Sequence, residues 1–146
     1  MVEKKRVDNH LGLQGWIFGG RWGAERYLFT LHRITGLGLL LYFVLHILVT
    51  ASRVFGKNAW EIWMGSLQSP VFKIGEFLVF AGFVFHAVNG IRLILIELGP
   101  AVGRAEEPVY PYSSSIDTQR PLMVTAIIVA VILILTGSYE FMGLSR

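Results

Sequence analysis

The residues of this chain most able to do chemistry are histidines inside long apolar segments. His86 stands in such a segment, with Gly82 four residues before it and Gly90 four residues after it. Residues four apart lie on one face of a helix, so the imidazole projects from a strip cleared of side chains. This arrangement suits a flat macrocycle with the imidazole as axial ligand of its iron. The alternative is close packing of another helix on the glycines, with His86 hydrogen-bonded across the contact.

A second histidine, His46, lies 14 residues after His32, which is about 21 Å along a helix axis. Its neighbours four residues away, Tyr42 and Thr50, are bulkier than those of His86. His46 is therefore either a second ligand or a satisfied polar contact. Counted from the cytoplasmic ends of the predicted helices, His46 is expected to lie only slightly deeper in the membrane than His86. The two histidines could bind one iron only if they lay at the same depth. Alternatively, each histidine pairs with a histidine of a partner subunit.

Two arginines and a group of hydrogen-bonding side chains stand near one end of these segments. Arg33 and Arg92 are ordinarily interpreted as residues that extend to the membrane surface. Their alternative role is to pair with an anion, such as a haem propionate. Thr30, His32 and Thr35 lie beside Arg33. Such donors can hold a quinone carbonyl while its isoprenoid tail stays in lipid. No motif indicates phosphate binding or a nucleophilic triad.

The composition of the chain and its long uncharged runs predict the helices that position these residues. Of the 146 residues, 53% are hydrophobic and 16% are charged, against roughly 25% charged in soluble domains. The apolar content excludes a disordered chain. The absence of cysteine excludes a disulfide scaffold and a cysteine-ligated iron–sulfur cluster in this chain. A helix crosses a bilayer with about 20 apolar residues. Long uncharged runs therefore predict three transmembrane helices, near 28–53, 71–98 and 120–142.

The distribution of basic residues predicts the orientation. Nine of the 13 Lys and Arg lie in or beside the segment 1–27 and the loop 99–119, and four lie on the other side. Both segments are therefore expected in the cytoplasm. The net charge of +3 reflects this topology and does not indicate nucleic-acid binding. The segment Lys57–Ser69, which contains Trp60 and Trp63, is a candidate interfacial helix. A cytoplasmic N-terminus without cysteines indicates a prokaryotic inner membrane.

Two motifs carry a resemblance to a known family. They are His32-Arg33-Ile34-Thr35-Gly36 and His86-Ala87-Val88-Asn89-Gly90-Ile91-Arg92, with the two histidines 54 residues apart. In this order they resemble the H-R-x-[ST]-G and H-x-x-x-G-x-R motifs of the cytochrome b membrane-anchor subunit of succinate dehydrogenase (succinate:quinone oxidoreductase, complex II). The resemblance covers about residues 25–140. It implies an all-α membrane protein, whose three helices form half of a haem-binding bundle with a second anchor subunit.

The resemblance also implies haem ligands. His86 matches the axial ligand of haem b in that family. Arg33 and Arg92 match arginines near the haem, and together with His32 they are expected to contact haem propionates or quinone. Members with two haems use one histidine from each of four bundle helices. His46 therefore predicts a second haem b nearer the outside, and with a single haem it becomes a packing histidine.

The expected quinone site departs from the family at one position. Many relatives carry a serine four residues before Arg33, where it hydrogen-bonds the quinone. Here that position is Phe29, and Thr30 is the nearest hydroxyl. Thr30, Arg33 and Thr35 are therefore the expected quinone-binding residues, for either menaquinone or ubiquinone.

The function implied is that of an electron-transfer anchor. A flavoprotein subunit oxidises succinate, an iron–sulfur subunit carries the electrons to the membrane, and this chain helps to pass them to quinone. It is then a non-catalytic subunit of an enzyme complex, without a complete active site. The alternatives are a haem-free structural or quinone-binding anchor, and a fumarate reductase anchor that works in the reverse direction. A small proton or ion carrier, with His46 and His86 as relays, is a third.

Overall fold

Three long helices and one short helix make up the computed structural model of the chain, which describes Gly12, residues 23–102 and residues 115–143. Strands are absent from those residues. The predicted cytoplasmic segments 1–27 and 99–119 lie mostly outside them. The elements are α1 (Ala24–Ala51), a 3₁₀ turn (Ser52–Phe55), α2 (Lys57–Ser66), α3 (Pro70–Glu97) and α4 (Ser115–Gly143).

The three long helices confirm the all-α membrane fold. Each is long and apolar enough to cross a bilayer. Helix α1 begins four residues before the predicted boundary at 28, and α4 begins five residues before the boundary at 120. The added turns contain Glu25 and Asp117, whose charges favour a helix N-terminus. A search for uncharged runs misses such turns because it stops at the first charge.

Helix α3 lies between α1 and α4 and packs against both. Helices α1 and α4 also meet where both begin, through an ion pair of 3.6 Å between Arg120 and Glu25. Helix α3 ends at the same side of the bundle, which we call the His86 end. The opposite side, where α1 ends and α3 begins, is the Trp60 end. The start of α1, the end of α3 and the start of α4, which are the three boundaries expected to be cytoplasmic, therefore lie on one side of the bundle.

The core of the described residues is small. Buried apolar side chains number four: Leu28, Val84, Met123 and Ala130. Between α3 and α4, the Phe80 ring lies against Gly137, where even a methyl group would overlap the ring. Leucines of α1 stay largely open, as shown by Leu37 at 65% and Leu40 at 62% exposure. Apolar surface of this extent is typical of contact with lipid or another subunit.

Helix α2 lies at the Trp60 end and packs against α1 and the 3₁₀ turn. It follows Gly56, whose φ of 96° is a conformation that favours glycine. The Arg53 guanidinium lies over the Trp60 ring, 4.1 Å from its centroid. The helix expected within Lys57–Ser69 is therefore present, and one cation–π contact connects its first turn to the 3₁₀ turn that follows α1.

Candidate functional site

The two imidazoles of His32 and His86 stack where α1 meets α3. Their ring centroids are 3.9 Å apart, and the planes are 6° from parallel. Gly36 makes room for the second ring, because a Cβ at this position would lie 2.8 Å from His86 Cε1. On the other helix, a Cβ at Gly90 would lie 3.6 Å from His32 Cε1. One glycine from each helix thus allows the histidine of the other helix to approach.

Hydrogen bonds define the protonation of the His86 ring. Its Nδ1 lies 3.0 Å from the carbonyl oxygen of His32 and 3.2 Å from Thr35 Oγ1. A carbonyl oxygen only accepts, so Nδ1 must carry the proton and donate it. The Thr35 hydroxyl directs its own hydrogen to the carbonyls of Leu31 and His32, at 2.8 and 3.0 Å. In the neutral ring the lone pair therefore stands on Nε2.

This protonation suits a metal ligand. A ligating histidine usually donates its other N–H to a carbonyl or carboxylate, which fixes the tautomer and the ring orientation. His86 has such a donation through Nδ1, so its Nε2 has the chemistry required of an axial haem ligand. The flanking glycines have another role. A Cβ at Gly82 would lie 3.7 Å from the methyl carbon of Thr35, and Gly90 faces His32. Gly82 and Gly90 therefore allow close packing of α1 against α3, as the alternative interpretation of these glycines predicts. The ligand role of His86 stays a prediction.

A buried arginine lies on the same helix as His86. Arg92 is 6% exposed and donates from Nε to Asn89 Oδ1 at 3.0 Å, and Asn89 is 4% exposed. Glu25 acts on this charge electrostatically while it is also ion-paired with Arg120. Among the described residues, His32 Nδ1 and Asn89 Nδ2 are buried without a hydrogen-bond partner. A buried cation beside unsatisfied polar groups favours an anionic ligand, such as a haem propionate.

The expected quinone residues lie on two faces of α1. Arg33 is exposed, and its guanidinium lies 4.3 Å from the Phe29 ring centroid. Thr30, at 8% exposure, is three residues from Arg33 and is its neighbour on the helix. Thr35 is about 200° around the axis from Arg33 and faces α3. Thr30 and Arg33 can thus contact one ligand together, while Thr35 contacts His86. The quinone roles of all three stay predictions.

His46 lies in a different environment. Its side chain is exposed, and its ring is 5.6 Å from that of Tyr42 on the same helix. It lines a groove of about 470 Å³ between α1, α2 and α3, together with Trp60 and Glu76. Most of the other lining side chains are apolar. The groove lies toward the Trp60 end. Its lining includes the side chains of His46 and Glu76, and histidine and carboxyl side chains are both uncommon in a membrane span.

The small difference in depth expected between the two histidines is wrong. The helices meet in a register that sets His86 beside His32, and His46 follows His32 by 14 residues, about 21 Å along α1. Estimates from the helix ends missed this, because they ignore how the two helices are paired. Within one copy of the chain, His46 and His86 therefore cannot bind one iron.

Sequence reasoning gave no role to two residues that shape this site. Gly36 belongs to the first motif and is placed four residues after His32, the spacing that puts both on one helix face. That spacing is the signal that could have identified Gly36 as the place where a side-chain ring from another helix packs. Asn89 lies three residues before Arg92 and three after His86. A polar residue between two ionisable ones on one face was the available signal there.

Comparisons with known proteins agree with the geometry. Residues 3–135 match the family described as succinate dehydrogenase/fumarate reductase transmembrane subunit. The chain is 30% identical over 95 residues to the succinate dehydrogenase hydrophobic membrane anchor subunit of Halobacterium salinarum, covering 62% of this chain and 73% of that protein. It is 30% identical over 66 residues to the succinate dehydrogenase 2 membrane subunit SdhC of Mycobacterium tuberculosis, covering 45% of this chain and 48% of that protein. Because the family match spans most of its length, the chain belongs to the family of succinate dehydrogenase and fumarate reductase transmembrane subunits.

Proposed function

We propose that this chain holds haem b through His86 Nε2 and passes electrons from an iron–sulfur subunit to quinone. The observation that carries the proposal is the donation from His86 Nδ1 to the His32 carbonyl, which leaves a lone pair on Nε2 for iron. A bound haem supplies a one-electron carrier inside the membrane. The chain fixes the ligand ring between two helices, against the His32 imidazole and the Gly36 backbone.

The charged residues of the His86 end have two roles in this proposal. Arg92 pairs with a haem propionate, because its buried guanidinium is hydrogen-bonded to the neutral Asn89 amide and gains from an ion pair with an anion. Arg33 and Thr30 contribute donors to the quinone site, on the face of α1 that turns away from α3. The quinone is either menaquinone or ubiquinone, since donors to a carbonyl serve both.

The assembly proposed is a complex with three other subunits: a second anchor subunit of the D type, the iron–sulfur subunit and the flavoprotein subunit. The exposed apolar faces of the helices support contact with the second anchor and with lipid. The excess of Lys and Arg supports a cytoplasmic His86 end, where the iron–sulfur subunit would bind. The location proposed is a prokaryotic inner membrane.

His46 supports a second haem b. It lies about 21 Å from the level of His86, faces a groove of about 470 Å³, and has a ring that is exposed on this chain. A histidine of the partner anchor would complete the ligation. With two haems, electrons can cross most of the membrane between the two ends of the bundle.

Haem content per complex tests both assignments. We expect reduced-minus-oxidised spectra and a redox titration to give two haems b with separate midpoints in the purified complex. His86→Ala should remove one and His46→Ala the other, so each variant serves as the control of its counterpart. Normal haem content in the His86→Ala complex would overturn the ligand role of that residue. Unchanged haem content in the His46→Ala complex would reduce His46 to a packing residue.

A haem-free anchor is the second candidate function, and the helix contact itself favours it. Gly82 and Gly90 both contact α1, and His86 already has two hydrogen-bond partners there. In that case the complex would lack haem absorbance and still reduce quinone through the Thr30 and Arg33 face. Comparison of succinate oxidation with fumarate reduction by the complex then decides the working direction, which we propose to be succinate oxidation.

A further inference from the structure

The Thr35 side chain contacts α3 with both of its branches. Its methyl carbon faces Gly82, at 3.7 Å from where a Cβ would stand. Its hydroxyl oxygen lies 3.2 Å from His86 Nδ1. The two contacts are one turn apart on α3, so the α1–α3 crossing itself holds the rotamer of Thr35. The first motif thereby supplies two acceptors for a single proton, a backbone carbonyl and a hydroxyl.

We propose that Thr35 is a positioning residue for the His86 imidazole, whose hydroxyl shares the Nδ1 proton and sets the donor strength of Nε2. This inference rests on the proposed haem ligation and adds the residue that tunes it. The hydroxyl has one hydrogen, and that hydrogen is engaged with the Leu31 and His32 carbonyls. Its lone pair is therefore the part that faces the imidazole, and the contact is a donation from Nδ1 to Oγ1.

The ring has little freedom to leave this hydrogen bond. The His32 imidazole covers one of its faces at 3.9 Å, and the Gly36 backbone lies against its Cε1 edge. A flip that exchanged Nδ1 for a carbon would leave the Thr35 oxygen and the His32 carbonyl facing C–H, at the cost of both hydrogen bonds. Stacking and the Gly36 backbone thus fix the plane of the ring, and the two acceptors decide that Nδ1 faces Thr35.

The chemical consequence is a change in ligand basicity. An N–H that donates to oxygen makes the other nitrogen of the imidazole a stronger electron donor to a metal. A stronger donor favours ferric over ferrous iron, because it stabilises the higher charge. The Thr35 hydroxyl should therefore lower the midpoint potential of the haem on His86 and slow its loss from the complex.

Two variants of similar size separate the hydroxyl from the rest of the side chain. Thr35→Val keeps a methyl toward Gly82 and replaces the hydroxyl by a second methyl. Thr35→Ser keeps the hydroxyl and removes the methyl. In the purified complex we expect Thr35→Val to raise the midpoint of the His86 haem and speed haem transfer to apomyoglobin by about tenfold, the low end for such an outer-shell residue. Thr35→Ser should stay close to the unsubstituted protein.

The results divide clearly. A Thr35→Val complex with unchanged midpoint and haem transfer would overturn the inference and leave the haem ligation intact. The same shift in both variants would also overturn it, since the methyl contact would then be responsible. A higher midpoint and faster transfer in the valine variant alone support it.

A measurement without haem separates failure of this inference from failure of the proposed function. In the haem-depleted complex labelled with ¹⁵N-histidine, His86 should show a protonated Nδ1, with a resonance that moves in Thr35→Val and not in Thr35→Ser. Should the complex prove to contain no haem, the claim on donor strength fails with the proposed function, and this spectrum still decides the positioning role. A protonated Nε2 on His86 would overturn the inference in either case.

Discussion

The two histidine regions of this chain are built in different ways. The His86 ring is held by groups from two helices: a stacked imidazole, a carbonyl, a hydroxyl and a glycine backbone. The His46 ring has Tyr42 from its own helix beside it and an open groove in front. The position of the His86 ring is thus set by this chain alone. The groove in front of His46 leaves that ring open to another molecule.

Glycine placement explains much of the difference. At the His86 end, Gly36 on α1 and Gly82 and Gly90 on α3 each face a side chain of the other helix. The helices therefore meet closely enough for hydrogen bonds between them. At the Trp60 end, Gly38 and Gly75 face open space, and both line the groove. The same residue type serves contact at one end and leaves room at the other.

The largest effect that we expect from a small substitution is at Gly36. Gly36→Ala places a methyl 2.8 Å from His86 Cε1, and this ring cannot move without losing its stack on His32 and its hydrogen bonds. We expect most of the His86 haem to be lost from the purified complex. The measurement is haem b per complex by difference spectroscopy, together with the melting temperature.

Gly38→Ala is the matched control, since it lies on the same helix and faces open space. Both substitutions gain about 1 kcal/mol of helix propensity. We therefore expect Gly38→Ala to retain the His86 haem and to melt at the same temperature or higher. Equal content of the His86 haem in the two alanine variants would contradict the difference between the two regions.

The sequence predicts the helices well and the site in part. Uncharged runs found all three spans, because a bilayer demands such runs whatever the tertiary structure is. The motifs led to His32, Thr35, His86 and Arg92 as one region. Their contacts could not be predicted, since the stack of His32 on His86 depends on the register between α1 and α3. The separation of Thr35 from Arg33 follows from helix periodicity, but only the packing shows which of the two faces α3.

The next effect concerns the contact between α3 and α4, which has no histidine. Gly137→Ala would push the Phe80 ring out of its position, at a cost of about 1–3 kcal/mol for an overpacked contact. We expect a lower melting temperature of the complex with haem spectra unchanged. Gly75→Ala is the control, because it faces open space on α3. Altered haem midpoints in Gly137→Ala would show that the His86 region depends on α4 as well.

Two arginines over aromatic rings, one at each end of the bundle, allow a functional comparison. Arg33 lies over Phe29 and Arg53 lies over Trp60. We expect Arg33→Ala to lower quinone reductase activity about tenfold, which is the loss of one hydrogen bond to a charged group. Arg53→Ala should leave that activity unchanged. Succinate-dependent reduction of a soluble quinone analogue measures both, and equal activities would place the quinone elsewhere than beside Arg33.

The smallest expected effect tests the role of the Phe29 ring beside Arg33. The Phe29 ring lies 4.3 Å from the Arg33 guanidinium, and an exposed cation–π contact contributes about 0.5–1 kcal/mol. Phe29→Leu keeps the apolar bulk and removes the contact, so the KM for quinone should rise about two- to fivefold with kcat unchanged.

Phe29→Tyr keeps an aromatic face under Arg33 and should keep the KM of the unsubstituted complex. A rise in both variants would mean that the ring packs against the quinone directly, because the hydroxyl of tyrosine would then disturb it. No rise in either would mean that Arg33 holds its position without the ring. A rise in the KM for quinone in the leucine variant alone identifies the Phe29 ring as the support of the Arg33 guanidinium.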